Sequence, residues 1–142
     1  LRGRFEVISE QPQVIIDVAH NPHAVTSLVT ELQAQPIDGK THVVIAMLSD
    51  KPVSEVVGLL NPVADAWYTA GLEHVARGMS STEMSSMVQS CLVAHDGADV
   101  KLCAESTVEA AIAAAMSAAN AQDRIMILGS FYTVAAATQY FS

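Results

Sequence analysis

The stretch Val14-Ile15-Ile16-Asp17-Val18-Ala19-His20-Asn21-Pro22 decides the fold. Three β-branched apolar residues stop at an acid, and a histidine and an Asn-Pro helix start follow at once. Such a run reads as a buried strand that delivers polar side chains at its C-terminal end, just before a helix N-terminus. In open α/β sheets, ligands bind at that edge. Asp17, His20 and Asn21 are therefore candidates for function rather than scaffold.

The same strand–helix alternation recurs outward from this run. Strands are expected at Gln13–Asp17, His42–Met47, Ala66–Ala70, Val100–Ala104 and Ile125–Gly129, with helices at Pro22–Gln35, Pro52–Leu60, Thr82–Leu92, Thr107–Ala121 and Phe131–Tyr140. Pro22 and Pro52 suit the first helical position, where no N–H is needed. Ser80-Ser81-Thr82-Glu83 and Ser106-Thr107-Val108-Glu109 both match the Ser-x-x-Glu capping box. Val108, Ile112, Ala115 and Ala119 recur at helical spacing as an apolar stripe facing a sheet. A short strand at Arg4–Ile8 is expected to pair antiparallel with Gln13–Asp17. Repeated β-α units imply right-handed crossovers and a mainly parallel sheet covered on both faces, an α/β fold in one domain.

Composition narrows the function classes. The chain has 142 residues, 51% of them hydrophobic, and carries a net charge of −8. No basic patch interleaved with aromatics is present, so binding to nucleic acid or to an anionic membrane is not expected. No apolar stretch reaches the roughly 18 residues of a membrane span, and no basic leader precedes an apolar segment. A soluble, cytoplasmic protein is expected. Cys91 and Cys103 have no CxxC spacing and read as reduced, buried thiols. His42, His74 and His95 lack metal-ligand spacing and read as surface or core residues, so no metal site is expected. Neither a Gly-x-x-x-x-Gly-Lys-Ser/Thr loop nor a Gly-x-Gly-x-x-Gly turn occurs, so this chain alone should not cradle a triphosphate or a dinucleotide. It opens at Leu1-Arg2-Gly3-Arg4 without a methionine, and a longer parent is expected.

Each candidate site residue carries two readings. Asp17 either caps the turn after its strand or serves a ligand, accepting bonds from ribose hydroxyls or holding a cation. His20 is a solvated loop histidine or part of a site beside Asp17. Asn21 is the N-cap of the helix opened by Pro22. Gly129-Ser130-Phe131 ends the last strand; Ser130 is a plain N-cap or part of an anion receptor with free backbone N–H groups. Lys51, in Leu48-Ser49-Asp50-Lys51-Pro52, is a solvated lysine or a weak ligand candidate. Arg4 flanks a ligand together with Asp17 or forms an ion pair with it.

Gly3-Arg4-Phe5-Glu6, Asp17-Val18-Ala19-His20-Asn21-Pro22, Met47-Leu48-Ser49-Asp50-Lys51 and Gly129-Ser130-Phe131 together resemble, in order and from end to end, the C-terminal domain of the bacterial folylpolyglutamate synthase/dihydrofolate synthase family, within the Mur ligase superfamily. The Asp-x-Ala-His-Asn-Pro run is the specific part; Arg2 stands where the family has Pro. The resemblance implies a three-layer Rossmann-like domain with six strands, five parallel and one antiparallel, over residues 1–142. It implies a separate N-terminal P-loop ATPase domain, outside this chain, that supplies the magnesium ligands. It also implies the reaction of folate biosynthesis in which ATP phosphorylates the carboxylate of dihydropteroate or of a folate's terminal glutamate. The amino group of L-glutamate then attacks the acyl phosphate.

On this sequence the resemblance implies that Arg4 faces the nucleotide and Asp17 contacts its ribose. His20 holds the catalytic position, near the reacting phosphate and the incoming amino acid. Ser130 and Asn21, with His20, contact glutamate, and Lys51 is a weaker candidate. Partners are then the N-terminal domain, ATP, L-glutamate and the folate or dihydropteroate, and the isolated domain should be inactive. A peptidoglycan Mur ligase domain and a stand-alone small-ligand module are the alternatives; Asn21-Pro22 and the closing Gly-Ser-Phe favour the folate branch.

Overall fold

The computed structural model describes residues 2–94 and 100–142. The chain runs β1 (Glu6–Ser9), β2 (Gln13–Asp17), α1 (Pro22–Ala34), β3 (Thr41–Ile45), α2 (Val53–Leu60), β4 (Ala66–Thr69), α3 (Ser81–Ala94), β5 (Lys101–Ala104), α4 (Val108–Ala118), β6 (Arg124–Leu128) and α5 (Phe131–Tyr140), with a 3₁₀ turn at Asn61–Val63. The six strands form one sheet in the order β1-β2-β6-β3-β4-β5. β1 is antiparallel to β2, and every other pair is parallel. The expected architecture of five parallel strands and one antiparallel strand is the one observed.

Period-two alternation sorts the strand side chains into two cores. Ile15, Val43, Ile45, Trp67, Met126 and Leu128 point to the face packed by α1, α2 and α3. Val14, Ile16, Val44, Tyr68, Ile125 and Ile127 point to the face packed by α4 and α5. All five residues of β6 are buried, as a strand at the centre of a covered parallel sheet requires. β5 alternates exposed ends with half-buried centres and lies at the edge.

Several boundaries differ from expectation for local reasons. Thr107, not Ser106, caps α4: its Oγ1 accepts the Ala110 N–H at 3.1 Å, so the Ser106–Glu109 box does not form. The box at Ser80 does form, with the Glu83 N–H donating to Ser80 Oγ and the Ser80 N–H to Glu83. Pro52 occupies the cap position before α2 rather than its first turn. α4 stops at Ala118 because Asp123 accepts the Asn120 N–H and returns its own N–H to Asn120 O, closing a turn where the helix was expected to continue. Ala119 is consequently only half-buried, while Ala111 joins the buried stripe. Cys91 and Cys103 are free thiols and half-buried, not buried. His42 belongs to the core, His74 is exposed, and His95 lies outside the described residues.

At the N-terminal edge of the strands, Asp123 ties three segments together. It accepts the Lys40 N–H, the Asn120 N–H and His42 Nε2, each at 2.9 Å, while His42 Nδ1 meets the Tyr68 hydroxyl. Burial pushes the Asp123 carboxyl up, and these donors outweigh it and hold it below the ordinary aspartate range. A depressed folded-state value stabilises the fold above the unfolded-state value, near pH 4, and the stabilisation fades as pH falls through the folded-state value. Acid titration of stability should therefore show a loss below about pH 4 that Asp123→Asn reduces. An unchanged acid limb in that variant would remove Asp123 as its cause.

Candidate functional site

The turn before β1 presents Arg4. Gly3 adopts φ +73° and Phe5 φ +43°, which reverses the chain tightly around Arg4. Two bonds clamp this turn onto the end of β2 on either side of Arg4. The Val18 N–H donates to Gly3 O at 2.8 Å, and the Phe5 N–H donates to Asp17 Oδ2 at 3.0 Å. The other Asp17 oxygen accepts the Ala19 N–H at 2.9 Å. Asp17 thus caps its own turn and fastens the preceding loop, with 9% of its surface exposed. The expected alternative of an Arg4–Asp17 ion pair does not occur; Arg4 is exposed beside a buried carboxylate that backbone donors already satisfy. Both residues belong to one rim because register, not charge, brings them together.

His20 follows on a loop that leaves β2 at its C-terminal end. Its Nδ1 lies 2.9 Å from Val18 O. A carbonyl only accepts, so Nδ1 carries a hydrogen and Nε2 is the ring nitrogen left free. Asn21 caps α1, its Oδ1 accepting the Ala24 N–H at 2.9 Å, and remains exposed. The ring of Phe131 stands 6.4 Å from that of His20, centre to centre. Arg4, Phe5, Asp17, His20, Asn21 and Phe131 line one cleft of about 430 Å³ with the first turns of α1.

Gly129 makes the next turn possible. Its φ is +123°, and a Cβ at that position would sit 2.3 Å from Ala46 O. The close passage of β6 against the end of β3 therefore excludes any side chain there. Ser130 caps α5, its Oγ accepting the Thr133 N–H at 3.1 Å, and is 4% exposed. Phe131, the first residue of the helix, is by contrast 68% exposed. The N–H groups of Phe131 and Tyr132 make no hydrogen bond among the described residues; the Ser130 cap satisfies only the Thr133 N–H. Ser130 lies behind Phe131 and is not part of the cleft lining.

Lys51 is half-buried on the loop after β3, also outside the cleft lining. Its neighbour Asp50 pairs with Arg77, not with Lys51. Arg77 is held in place by the β3 loop, since both the Ser49 N–H and its hydroxyl donate to Arg77 O. Nothing in the sequence marked Arg77, Thr133 or the backbone N–H of Phe5; each takes part through a contact between distant segments. A larger hollow of about 570 Å³ lies at the opposite edge of the sheet, beside Lys40, His42, Asp65 and Asp123. Both oxygens of Asp123, both ring nitrogens of His42 and one oxygen of Asp65 are already bonded within the protein. We therefore take the smaller cleft, at the strands' C-terminal edge, as the site.

Residues 3–131 match a known family model, that of the Mur ligase, glutamate ligase domain. The chain belongs to the Mur ligase family. This Mur ligase domain is 40% identical over 135 residues to the dihydrofolate synthase/folylpolyglutamate synthase of Escherichia coli, covering 95% of the chain and 29% of that protein. It is similar to solved structures as well. E. coli FolC in complex with DHPP and ADP superimposes with a TM-score of 0.84 at 37% identity, covering 98% of the chain and 31% of FolC. A bifunctional folylpolyglutamate synthase/dihydrofolate synthase with Mn, AMPPNP and L-glutamate bound gives a TM-score of 0.82 at 41% identity, with 98% and 31% covered. The chain spans under a third of the length of these relatives. Among the described residues, no helix is long and apolar enough to cross a membrane.

Proposed function

We propose that this chain is the C-terminal domain of an ATP-dependent ligase that adds L-glutamate to dihydropteroate, to the terminal glutamate of folates, or to both. The observation that carries this reading is the cleft at the sheet's C-terminal edge, where Arg4, Asp17, His20 and Asn21 converge. The names of the relatives support the substrate class, and the short span of the chain against them supports a second, N-terminal P-loop domain. In the reaction, a carboxylate oxygen attacks the γ-phosphorus of ATP and the bond to the β-phosphate oxygen breaks, releasing ADP. The glutamate nitrogen then attacks the acyl carbon, loses a proton, and phosphate leaves.

Within this scheme the domain positions reactants and balances charge. Arg4, on its clamped turn, meets the nucleotide, and the remaining lone pairs of Asp17 accept from its ribose hydroxyls. His20 offers Nε2 toward the reacting phosphate and the amino acid, with Asn21 beside it. The Ser130 turn and the free amides of α5 hold glutamate, and Lys51 adds positive charge to the same edge. No three His, Cys, Asp or Glu side chains gather into a metal-holding group among the described residues. The divalent metal that accompanies ATP is therefore assigned to the other domain. Exposed Phe131 and Tyr132 offer that domain an apolar surface to close on. A cytoplasmic location fits ATP-dependent chemistry and two free thiols.

The test is an assay of the full-length parent with ATP, Mg²⁺, L-glutamate and dihydropteroate or a reduced folate. Amide product and ADP should form in equal amounts, while these 142 residues alone form none. Ser130→Ala in the parent should raise the glutamate KM about tenfold, the cost of one charge-assisted contact. A parent that consumes ATP without glutamylating either acceptor would overturn the substrate assignment.

A further inference from the structure

The cleft that holds Arg4 and Asp17 continues along α1, past Ala24 to Ser27, Leu28 and Glu31. These positions recur every three or four residues and so share one helix face. From the Asn21 cap to Glu31 that face runs about 15 Å. Phe5 packs with Ala24 and Leu28 against one core, so this wall of the cleft is apolar. Its far end is polar. The hydroxyls of Thr26 and Thr30 turn back onto their own helix, whereas Ser27 and Glu31 are exposed and line the cleft. Glu31 Oε2 accepts the Gln35 side-chain amide at 2.8 Å, which steadies the carboxylate and leaves Oε1 open. Neither ion pair among the described residues involves Glu31 or Arg4. One cleft therefore presents an unpaired cation, an unpaired carboxylate and an apolar wall.

We propose that Glu31 is a specificity-determining residue for the nucleotide, accepting a hydrogen bond from the exocyclic amine of adenine. The inference rests on the reading of Arg4 and Asp17 as nucleotide contacts and extends it to the base. A nucleoside triphosphate carries its charges at one end, ribose hydroxyls in the middle, and a flat base tipped with an amine at the other. Along α1 the cleft offers matching groups in that order. His20 stands at its start with Arg4 and Asp17 alongside, then comes the wall shared with Phe5, then Glu31. A carboxylate oxygen only accepts, so Glu31 favours a base with a donor at that edge and disfavours a keto oxygen. With Oε2 taken by Gln35, the open oxygen suits the one amine of adenine better than the two adjacent donors of guanine. Ser27, whose hydroxyl both donates and accepts, suits a ring nitrogen beside that amine.

Steady-state kinetics of the full-length parent with ATP and with purine riboside triphosphate, which lacks only the amine, test this. Wild type should prefer ATP about tenfold in kcat/KM, and Glu31→Ala should cut that preference to within about twofold by lowering ATP use alone. Glu31→Gln keeps a carbonyl oxygen at the same reach and should keep part of the preference. The glutamate KM should stay within about twofold in both variants. Glu31 is exposed, so both should match wild type in melting temperature. A preference for ATP that survives Glu31→Ala intact, or a wild type that uses both nucleotides equally, would overturn the role of Glu31. Asp17→Ala separates that failure from failure of the wider reading. If Asp17→Ala lowers ATP use while Glu31→Ala leaves the preference untouched, the nucleotide lies in the cleft and only the base assignment falls. If Asp17→Ala also leaves ATP use unchanged, the nucleotide lies elsewhere and both readings fall.

Discussion

Replacing Arg124 with alanine should destabilise the domain by about 3 kcal/mol, more than any other single side-chain truncation discussed above. Arg124 opens the central strand β6 and is 5% exposed. Its guanidinium donates to Leu32 O at 3.1 Å, Gln35 O at 2.7 Å and Thr41 Oγ1 at 2.9 Å. The first two are terminal carbonyls of α1, which has no basic residue in its last turn. Arg124 is thus the cation at that helix's negative end, supplied from the middle of the sheet. Burial lowers the guanidinium's hold on its proton, with Asp65 opposing that effect, and an arginine remains charged at any working pH. Truncation would take the side-chain donor from the Gln35 carbonyl and from the buried Thr41 hydroxyl, and would leave Leu32 O with only the Gln35 N–H. A fall of about 10 °C in melting temperature is expected for the 142-residue chain. Arg124→Met, which keeps most of the packing, should lose nearly as much; a loss under about 1 kcal/mol in Met would show that packing, not donation, is what Arg124 contributes.

Asp17→Ala should damage function most. The carboxylate stabilises two backbone N–H groups, Phe5 and Ala19, and through Phe5 it fixes the turn that aims Arg4. If Asp17 and Arg4 hold the nucleotide as proposed, its removal deletes one contact and loosens the other, so kcat/KM for ATP in a full-length parent should drop by about 10- to 100-fold, or ~1.5–3 kcal/mol. The glutamate KM should move far less, because the Ser130 turn hangs on β6 and not on β2. Asp17→Asn keeps one acceptor but puts an amide NH₂ against one of the two N–H donors, so it should fall between wild type and alanine. ATP kinetics that survive Asp17→Ala in a folded enzyme would remove both Asp17 and the Arg4 turn from the nucleotide site.

The two predictions differ in how visible their residues were. Asp17 announced itself, because an acid ending a β-branched run is a local pattern. Arg124 did not: it sits at the start of an apolar strand, and its partners are 83 to 92 residues away. Ser130 was legible as an N-cap, but the Thr133 hydroxyl that meets it is also bonded to Ala46 O, brought close by the passage of β6 against β3. The same passage accounts for Gly129, whose missing side chain avoids Ala46 O. Lys51 was legible as a cation at a strand end. Only the loop–loop contact revealed that Asp50 pairs with Arg77 instead.

By itself the sequence determined the alternation of strands and helices, the helix starts to within one residue, and the antiparallel entry of β1. Each of these follows from side-chain period, capping chemistry and turn residues within a dozen positions of one another. The tertiary structure alone decided that β6 returns to the centre of the sheet between β2 and β3. Strand order depends on which apolar faces bury the most surface together, a non-local sum that no short window contains. That one placement sets Phe131, just after the Gly129–Ser130 turn, beside the Asp17–His20 loop, and so brings two separate strand ends to one cleft.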